Sequence, residues 1–248
     1  MTSAYPLPSG YPVADDLEIA IDGRRAKAGR TRVADFVSCA IAGPVECSVT
    51  FPEPPQRVTI RPASAGVELR VDGRTVAFML DKPCKISVET PGRNPLYVFA
   101  NAPETDVPDR NDPAVRWFEA GTAHEAGRIE LRSGETLYIE PGAVVHGSVH
   151  ARGASNVRVC GHGIIDGSRY RHHETRLLLF EHCTGVAVEG ITAIGTPSWT
   201  IVLAACRGAA VRNVKLIGWV VCSDGVDIVG SSDVTVEDSF LHDNDDCI

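Results

Sequence analysis

Apolar residues recur at every second position over short stretches of this chain, and two kinds of pattern follow one another. Between residues 17 and 100, alternation marks Leu17–Ile21, Cys47–Phe51, Val58–Ile60, Val67–Val71, Thr75–Met79 and Lys85–Val88. A period of two puts successive side chains on opposite faces of a pleated strand, so each stretch predicts a strand with one buried face. Val71-Asp72-Gly73-Arg74-Thr75 joins two of them through an Asp-Gly turn. Short strands at this spacing, with no long helical period among them, predict an N-terminal β-sandwich over residues 1–108. A stretch rich in Pro, Asp and Asn follows at 101–115, and residues 109–127 read as a linker.

From Arg128 onward the alternation becomes a repeat. Asn156-Val157-Arg158-Val159, Gly185-Val186-Ala187-Val188, Gly208-Ala209-Ala210-Val211 and Asp233-Val234-Thr235-Val236 are four copies of one strand, starting 29, 23 and 25 residues apart. Each is followed two residues later by Gly161, Gly190, Asn213 or Asp238, and then by a second apolar strand. Strand pairs with Gly, Asn or Asp at the corners, at a period in the twenties, predict the coils of a parallel β-helix over residues 128–248. A leucine-rich repeat has a similar period, but its Leu-rich consensus and Asn ladder are absent. Val159, Val188, Val211 and Val236 are expected to stack into an internal ladder, with Arg128–Val149 as the opening coil. The fold class is therefore all-β.

Composition narrows the partners. The chain has 248 residues and a formal charge of −8, which argues against nucleic acid and says little about glycans. The longest apolar runs are only strand-sized, which argues against a membrane partner, and Met1–Ala20 lacks the basic and apolar regions of a signal peptide. A cytoplasmic location is the default, and a secreted one follows if a leader has been lost. Eight cysteines include no Cys-x-x-Cys pair, but Cys183 and Cys206 lie one repeat apart, where stacked buried thiols are expected. The pattern calls for no metal or cofactor.

Chemistry collects at the end of the chain. Val226 and Ile248 occupy equivalent positions in successive repeats, which sets Asp224 under Asp246 and Ser223 under Asp245. Neighbouring parallel strands lie about 4.8 Å apart, so stacked carboxylates are forced close. At ~5 Å and an effective dielectric near 20 their repulsion is about 3 kcal/mol, or about two pKa units. Glycoside hydrolysis needs one protonated and one ionised carboxyl group, and three aspartates on two rungs supply both states. The competing reading is a solvated acidic turn of Asp243, Asp245 and Asp246, or one that binds Ca²⁺ with Asp224. In this register Asp243 points away from the column. Arg169, Arg171 and Arg176 form a basic cluster suited to a polyanionic chain. His172 and His173 lie among them in a solvated or substrate-facing loop, and Trp199 belongs either to the core or to a groove.

Thr196-Pro197-Ser198-Trp199-Thr200-Ile201, Ser223-Asp224-Gly225-Val226-Asp227 and Asn244-Asp245-Asp246-Cys247-Ile248 together resemble successive signatures of glycoside hydrolase family 28, the polygalacturonases. Cys160-Gly161-His162-Gly163-Ile164-Ile165-Asp166-Gly167 is similar to the coil that precedes them. The resemblance covers roughly residues 115–248. It implies a right-handed β-helix that cleaves pectic, uronate-containing polysaccharide with inversion. Asp245 would be the general acid, with Asp224 and Asp246 holding the water. Cys222-Ser223 replaces the family's Asn-Thr, and Asn244 its Gly. The family's His and Arg/Lys motifs follow the aspartate pair, so the resemblance predicts that this is a partial catalytic domain. A dextranase-like glucan hydrolase, also a sandwich joined to a β-helix, is the alternative. A non-catalytic glycan-binding or structural β-helix is the alternative from another class. The site assignment rests on one register, and Cα atoms of Asp224 and Asp246 more than ~8 Å apart would break it.

Overall fold

The computed structural model describes residues 2–248 and divides them into two compact units, which meet in sequence between Thr105 and Asp106. Each has its own apolar core.

The N-terminal unit is a β-sandwich. One sheet holds Ser3–Ala4, Gly29–Arg30, Asp35–Ala40, Thr59–Arg61, Cys84–Glu89 and Leu96–Asn101, and the other Glu18–Ile21, Arg24–Ala26, Val45–Thr50, Leu69–Asp72 and Thr75–Leu80. Their facing side chains, among them Val37, Val98, Ile21, Val49 and Phe78, make the core. All six alternating stretches contribute strands. The pattern missed the pair Asp35–Ala40 and Leu96–Asn101, which run parallel with Phe36 opposite Tyr97. Leu96–Asn101 is buried at every residue, so it carries no polar face from which to read a period of two. The hairpin pairs Asp72 with Thr75, which makes Gly73 and Arg74 the two turn residues.

The second unit is a parallel β-helix. Its first sheet stacks Val115–Phe118, Thr136–Ile139, Ser155–Cys160, Thr184–Glu189, Arg207–Arg212 and Ser232–Glu237 in order. The long strand Val144–Arg152, with Ala123–Leu131 alongside it, starts the rest of the coil. Its front half pairs with Ile164–Asp166 and its back half with Leu178–Glu181. From there two columns diverge. A second sheet continues through Thr192–Ile194, Lys215–Ile217 and Phe240–His242, and a third through Ile201–Ala204 and Val226–Val229. The loops 167–177, 195–200 and 218–225 and the segment 243–248 follow the second sheet and stack on one another.

Val159, Val188, Val211 and Val236 are paired rung on rung, the first three fully buried. The corner residues explain why the repeat shows through Gly, Asn and Asp. Gly161, Gly190, Asn213 and Asp238, which follow the first-sheet strands, all have positive φ, from 46° to 104°. At that left-handed backbone a Cβ is costly, and short polar side chains or none are favoured. Cys183 and Cys206 are buried on adjacent coils, and the Cys206 thiol donates to the Phe180 carbonyl at 3.3 Å. Outside the first sheet, charge alternates from rung to rung: Arg158–Glu189 at 3.0 Å, Glu189–Arg212 at 3.6 Å, then Arg212–Glu237.

The expected linker is corrected. Val115–Phe118 and Ala123–Leu131, which overlap residues 109–127, are strands of the solenoid, so the first coil begins before Arg128. Val-Arg-Trp-Phe is too short to display a period, and the Pro-rich composition that suggested a linker stops at Pro113.

Two substitutions test this packing by thermal unfolding. Val211→Ala should cost about 2 kcal/mol by opening a void in the ladder. Ala205, at φ 51° in a corner that Gly230 fills one coil later, should gain up to ~1 kcal/mol when changed to Gly. An Ala205→Gly protein less stable than the parent would contradict the strained-corner account.

Candidate active site

The stacked loops beside the third sheet carry the predicted aspartates. Gly225 N–H donates to the Asp246 carbonyl at 2.9 Å and Val226 N–H to that of Cys247 at 3.1 Å. In a parallel ladder these bonds set Val226 against Ile248 and Asp224 against Asp246, the register the repeat predicts. Carboxylate oxygens of Asp224, Asp245 and Asp246 lie within 4.8 Å of one another. Asp245 is held by backbone: its Oδ2 accepts from Cys222 N–H and its Oδ1 from Asp246 N–H, both at 3.1 Å. The ladder continues downward through Thr200 N–H to the Asp224 carbonyl and Leu177 N–H to that of Trp199. Arg176, Trp199, Asp224 and Asp246 therefore occupy one column of the coil.

Two further carboxyl groups lie against this column, and sequence reasoning assigned neither to the site. Asp227 follows Asp224 on the third sheet, and burial, then the Asp224 charge, pushes it up to about 6. Asp243 is pushed up to about 7, first by burial and then by Asp224 and Asp227. Asp224 itself is raised, by burial first and then by its neighbours Asp245 and Asp246. Both oxygens of Asp243, Oδ1 of Asp224 and Oδ2 of Asp227 are buried with no hydrogen-bond partner among the described residues.

The expectation that Asp243 points away from the column is thus corrected. Its carboxyl group fits where Gly218 and Gly225 leave space. A Cβ on Gly218 would fall 2.9 Å from Asp243 Oδ1, and one on Gly225 2.7 Å from Oδ2. The signal was present but unused: the register that pairs Ile194, Ile217 and His242 aligns Asp243 with Gly195 and Gly218. An aspartate replacing a glycine in that row has only the space left by its neighbours.

Of the three predicted arginines, one reaches the carboxylates. Arg176 lies over the partly exposed Trp199 ring, 4.8 Å from its centroid, and its charge draws Asp224 and Asp227 downward against their burial. Trp199 therefore lies partly exposed in the column of the carboxylates. Arg169 is paired with Glu125 at 2.6 Å, and Arg171 is exposed. His172 and His173 stack at 3.7 Å, and His172 Nε2 donates to the Val221 carbonyl at 2.8 Å, tying the longest loop to the one that carries Asp224.

No protein-family model matches the chain, and no curated protein does. Two solved structures share its architecture. The dextranase Dex49A from Penicillium minioluteum is 16% identical at a TM-score of 0.72, with 97% of this chain and 65% of that one covered. The family 28 exopolygalacturonase of Yersinia enterocolitica is 13% identical at 0.50, covering 83% of this chain and 62% of that one. This is a fold used by glycoside hydrolases. The chain spans just under two thirds of the length of either structure, and at these identities what is shared is the fold.

The raised aspartates make stability fall with pH. A carboxyl group whose folded pKa lies above the unfolded value near 3.8 stabilises fully below that value and loses the contribution as pH rises through the folded one. For Asp227 and Asp243 the window runs from about 4 to about 7. Asp243→Asn should therefore raise the unfolding temperature at pH 8 and leave it nearly unchanged at pH 4. Equal shifts at both pH values would show that the carboxyl charge is not what costs stability.

Proposed function

We propose that this chain carries the catalytic carboxylates of a glycosidase that hydrolyses O-glycosidic bonds within a polysaccharide. The observation that carries the reading is the convergence of Asp224, Asp245 and Asp246 within 4.8 Å on adjacent rungs, beside the exposed edge of Trp199. Burial, then the charges of Asp245 and Asp246, raises Asp224 above the ordinary carboxylate range. Hydrolysis needs one protonated carboxyl group for the leaving oxygen and an ionised one to activate water, and three adjacent aspartates can supply both. In the roles implied by the family 28 resemblance, Asp245 delivers the proton and Asp224 with Asp246 activates the water. The fold held in common with two glycoside hydrolases supports the same reading.

For the substrate, the charge around the site favours a neutral hexose polymer over the uronate chain expected from the sequence. Arg169 is neutralised by Glu125, and Arg176 is committed to Trp199 and the aspartates, so the three arginines do not converge on one anion. Five aspartates cluster here, 224, 227, 243, 245 and 246, with Arg176 as the one cation among the described residues acting on Asp224 and Asp227. A partly exposed indole beside them suits the apolar face of a sugar ring.

Reducing-sugar release tests both halves. Dextran should be hydrolysed before polygalacturonate, and the reverse order would restore the uronate reading. Asp245→Asn should lower kcat by at least ~10²-fold with the fold intact, because an amide of the same shape cannot deliver a proton. Trp199→Ala should act mainly on KM. An Asp245→Asn protein with near-normal turnover would remove Asp245 from the chemistry.

A further inference from the structure

The inner carboxyl groups pose a hydrogen-bonding problem that the catalytic trio does not answer. An ionised carboxylate only accepts hydrogen bonds. Here four buried acceptor oxygens, two on Asp243 and one each on Asp224 and Asp227, have no donor among the described residues. Ionised together, they would leave each desolvated oxygen unpaired beside another negative charge, at a cost in both respects. A single proton changes this. It turns one acceptor into a donor and relieves two oxygens at once.

The surroundings decide which group keeps it. Asp243 is the most enclosed of the three and is raised the furthest, to about 7, with burial as the chief cause. The charged groups acting on it are Asp224 from the loop 218–225 and Asp227 from the third sheet, both negative. Arg176, on the loop 167–177, draws Asp224 and Asp227 downward and so favours the ionised form of those two. On its own segment Asp243 follows His242, whose pKa burial lowers, and Asp245 and Asp246 come after it beyond Asn244. Nearby Ser223 is fully buried, and its Oγ accepts from Asn244 N–H at 3.2 Å.

We propose that Asp243 is a positioning residue that keeps its proton and donates a hydrogen bond to the Asp224–Asp227 carboxylates, holding Asp224 ionised and aimed at the groove. It touches no substrate and acts through Asp224. This rests on the glycosidase reading for its consequence in catalysis, but the place of the proton can be tested without any substrate. An ordinary core residue at this position, by contrast, would affect stability and leave the ionisation of Asp224 alone.

The test is a carboxyl-carbon NMR titration of the full chain, run on the parent, Asp243→Ala, Asp243→Asn and Asp224→Asn. In the parent the Asp243 resonance should titrate at least ~2 pH units above a free side chain and higher than that of Asp227, and its absence in Asp243→Ala assigns it. Losing the donor should raise the midpoint of Asp224 by about one pH unit, the effect of one hydrogen bond to a charged group. Asp243→Asn, which still offers N–H donors, should restore it. If Asp243→Ala does not fold, Asp224→Asn still decides the matter: removing that charge should lower the Asp243 midpoint by about one unit. An Asp224 midpoint common to the parent, Ala and Asn proteins would overturn the proposal. So would a parent in which every aspartate titrates below pH ~5.

With a hydrolysed polymer in hand, the acid limb of kcat/KM should move with the Asp224 midpoint, upward in Ala and back in Asn. A uniform loss of rate at all pH values would mark a merely structural residue. If the parent hydrolyses no polysaccharide, the glycosidase reading fails, and the titration still decides where the proton resides.

Discussion

Everything in the C-terminal unit follows from the spacing of parallel strands. Backbone hydrogen bonds hold successive rungs at about 4.8 Å, and each side chain sits on the equivalent side chain of the coil below. For Val159, Val188, Val211 and Val236 that proximity is favourable, because apolar surface is buried without a void. For Asp224 and Asp246 the same spacing is unfavourable, because it presses like charges together. One geometric rule thus builds the core and sets like charges side by side, adding to the burial that already raises Asp224.

How the coil tolerates charged residues depends on its loops. The first sheet turns through residues at positive φ and admits little variation. The loops between the second and third sheets differ in length, and the wider gap between the first two copies of the repeat arises in the loop 167–177. His172 reaches the loop that carries Asp224 through that extra length. The site is therefore assembled on the most variable part of an otherwise strict repeat, which is how a rigid scaffold carries a specific chemistry.

Much of this was legible in the sequence, for reasons that can be named. The valine ladder and the Gly, Asn and Asp corners recur because the same backbone is required on every coil, so a periodic structure leaves a periodic trace. The pairing of Asp224 with Asp246 follows from extending that period. What remained hidden lacks periodicity. Leu96–Asn101 is covered on both faces and shows no alternation, while Val115–Phe118 is a single short strand at the start of the stack. Asp243 was misread because its side chain was placed by alternation along one strand. Its position is set instead by the glycines of the neighbouring coil. The three arginines were grouped by proximity in sequence, but ion pairing with Glu125 and stacking on Trp199 separate them.

The alternating charges outside the first sheet carry a consequence for how such a solenoid can lengthen. Glu189, Arg212 and Glu237 occupy one register position on successive rungs, and Arg158, two residues short of that position on the rung before, pairs with Glu189. Copying a single coil would set Glu on Glu or Arg on Arg, replacing an attraction by a repulsion at rung spacing. Copying two adjacent coils preserves the order of signs. On this face the unit of growth is a coil pair, a grammar written in charge that the uniformly apolar interior does not impose.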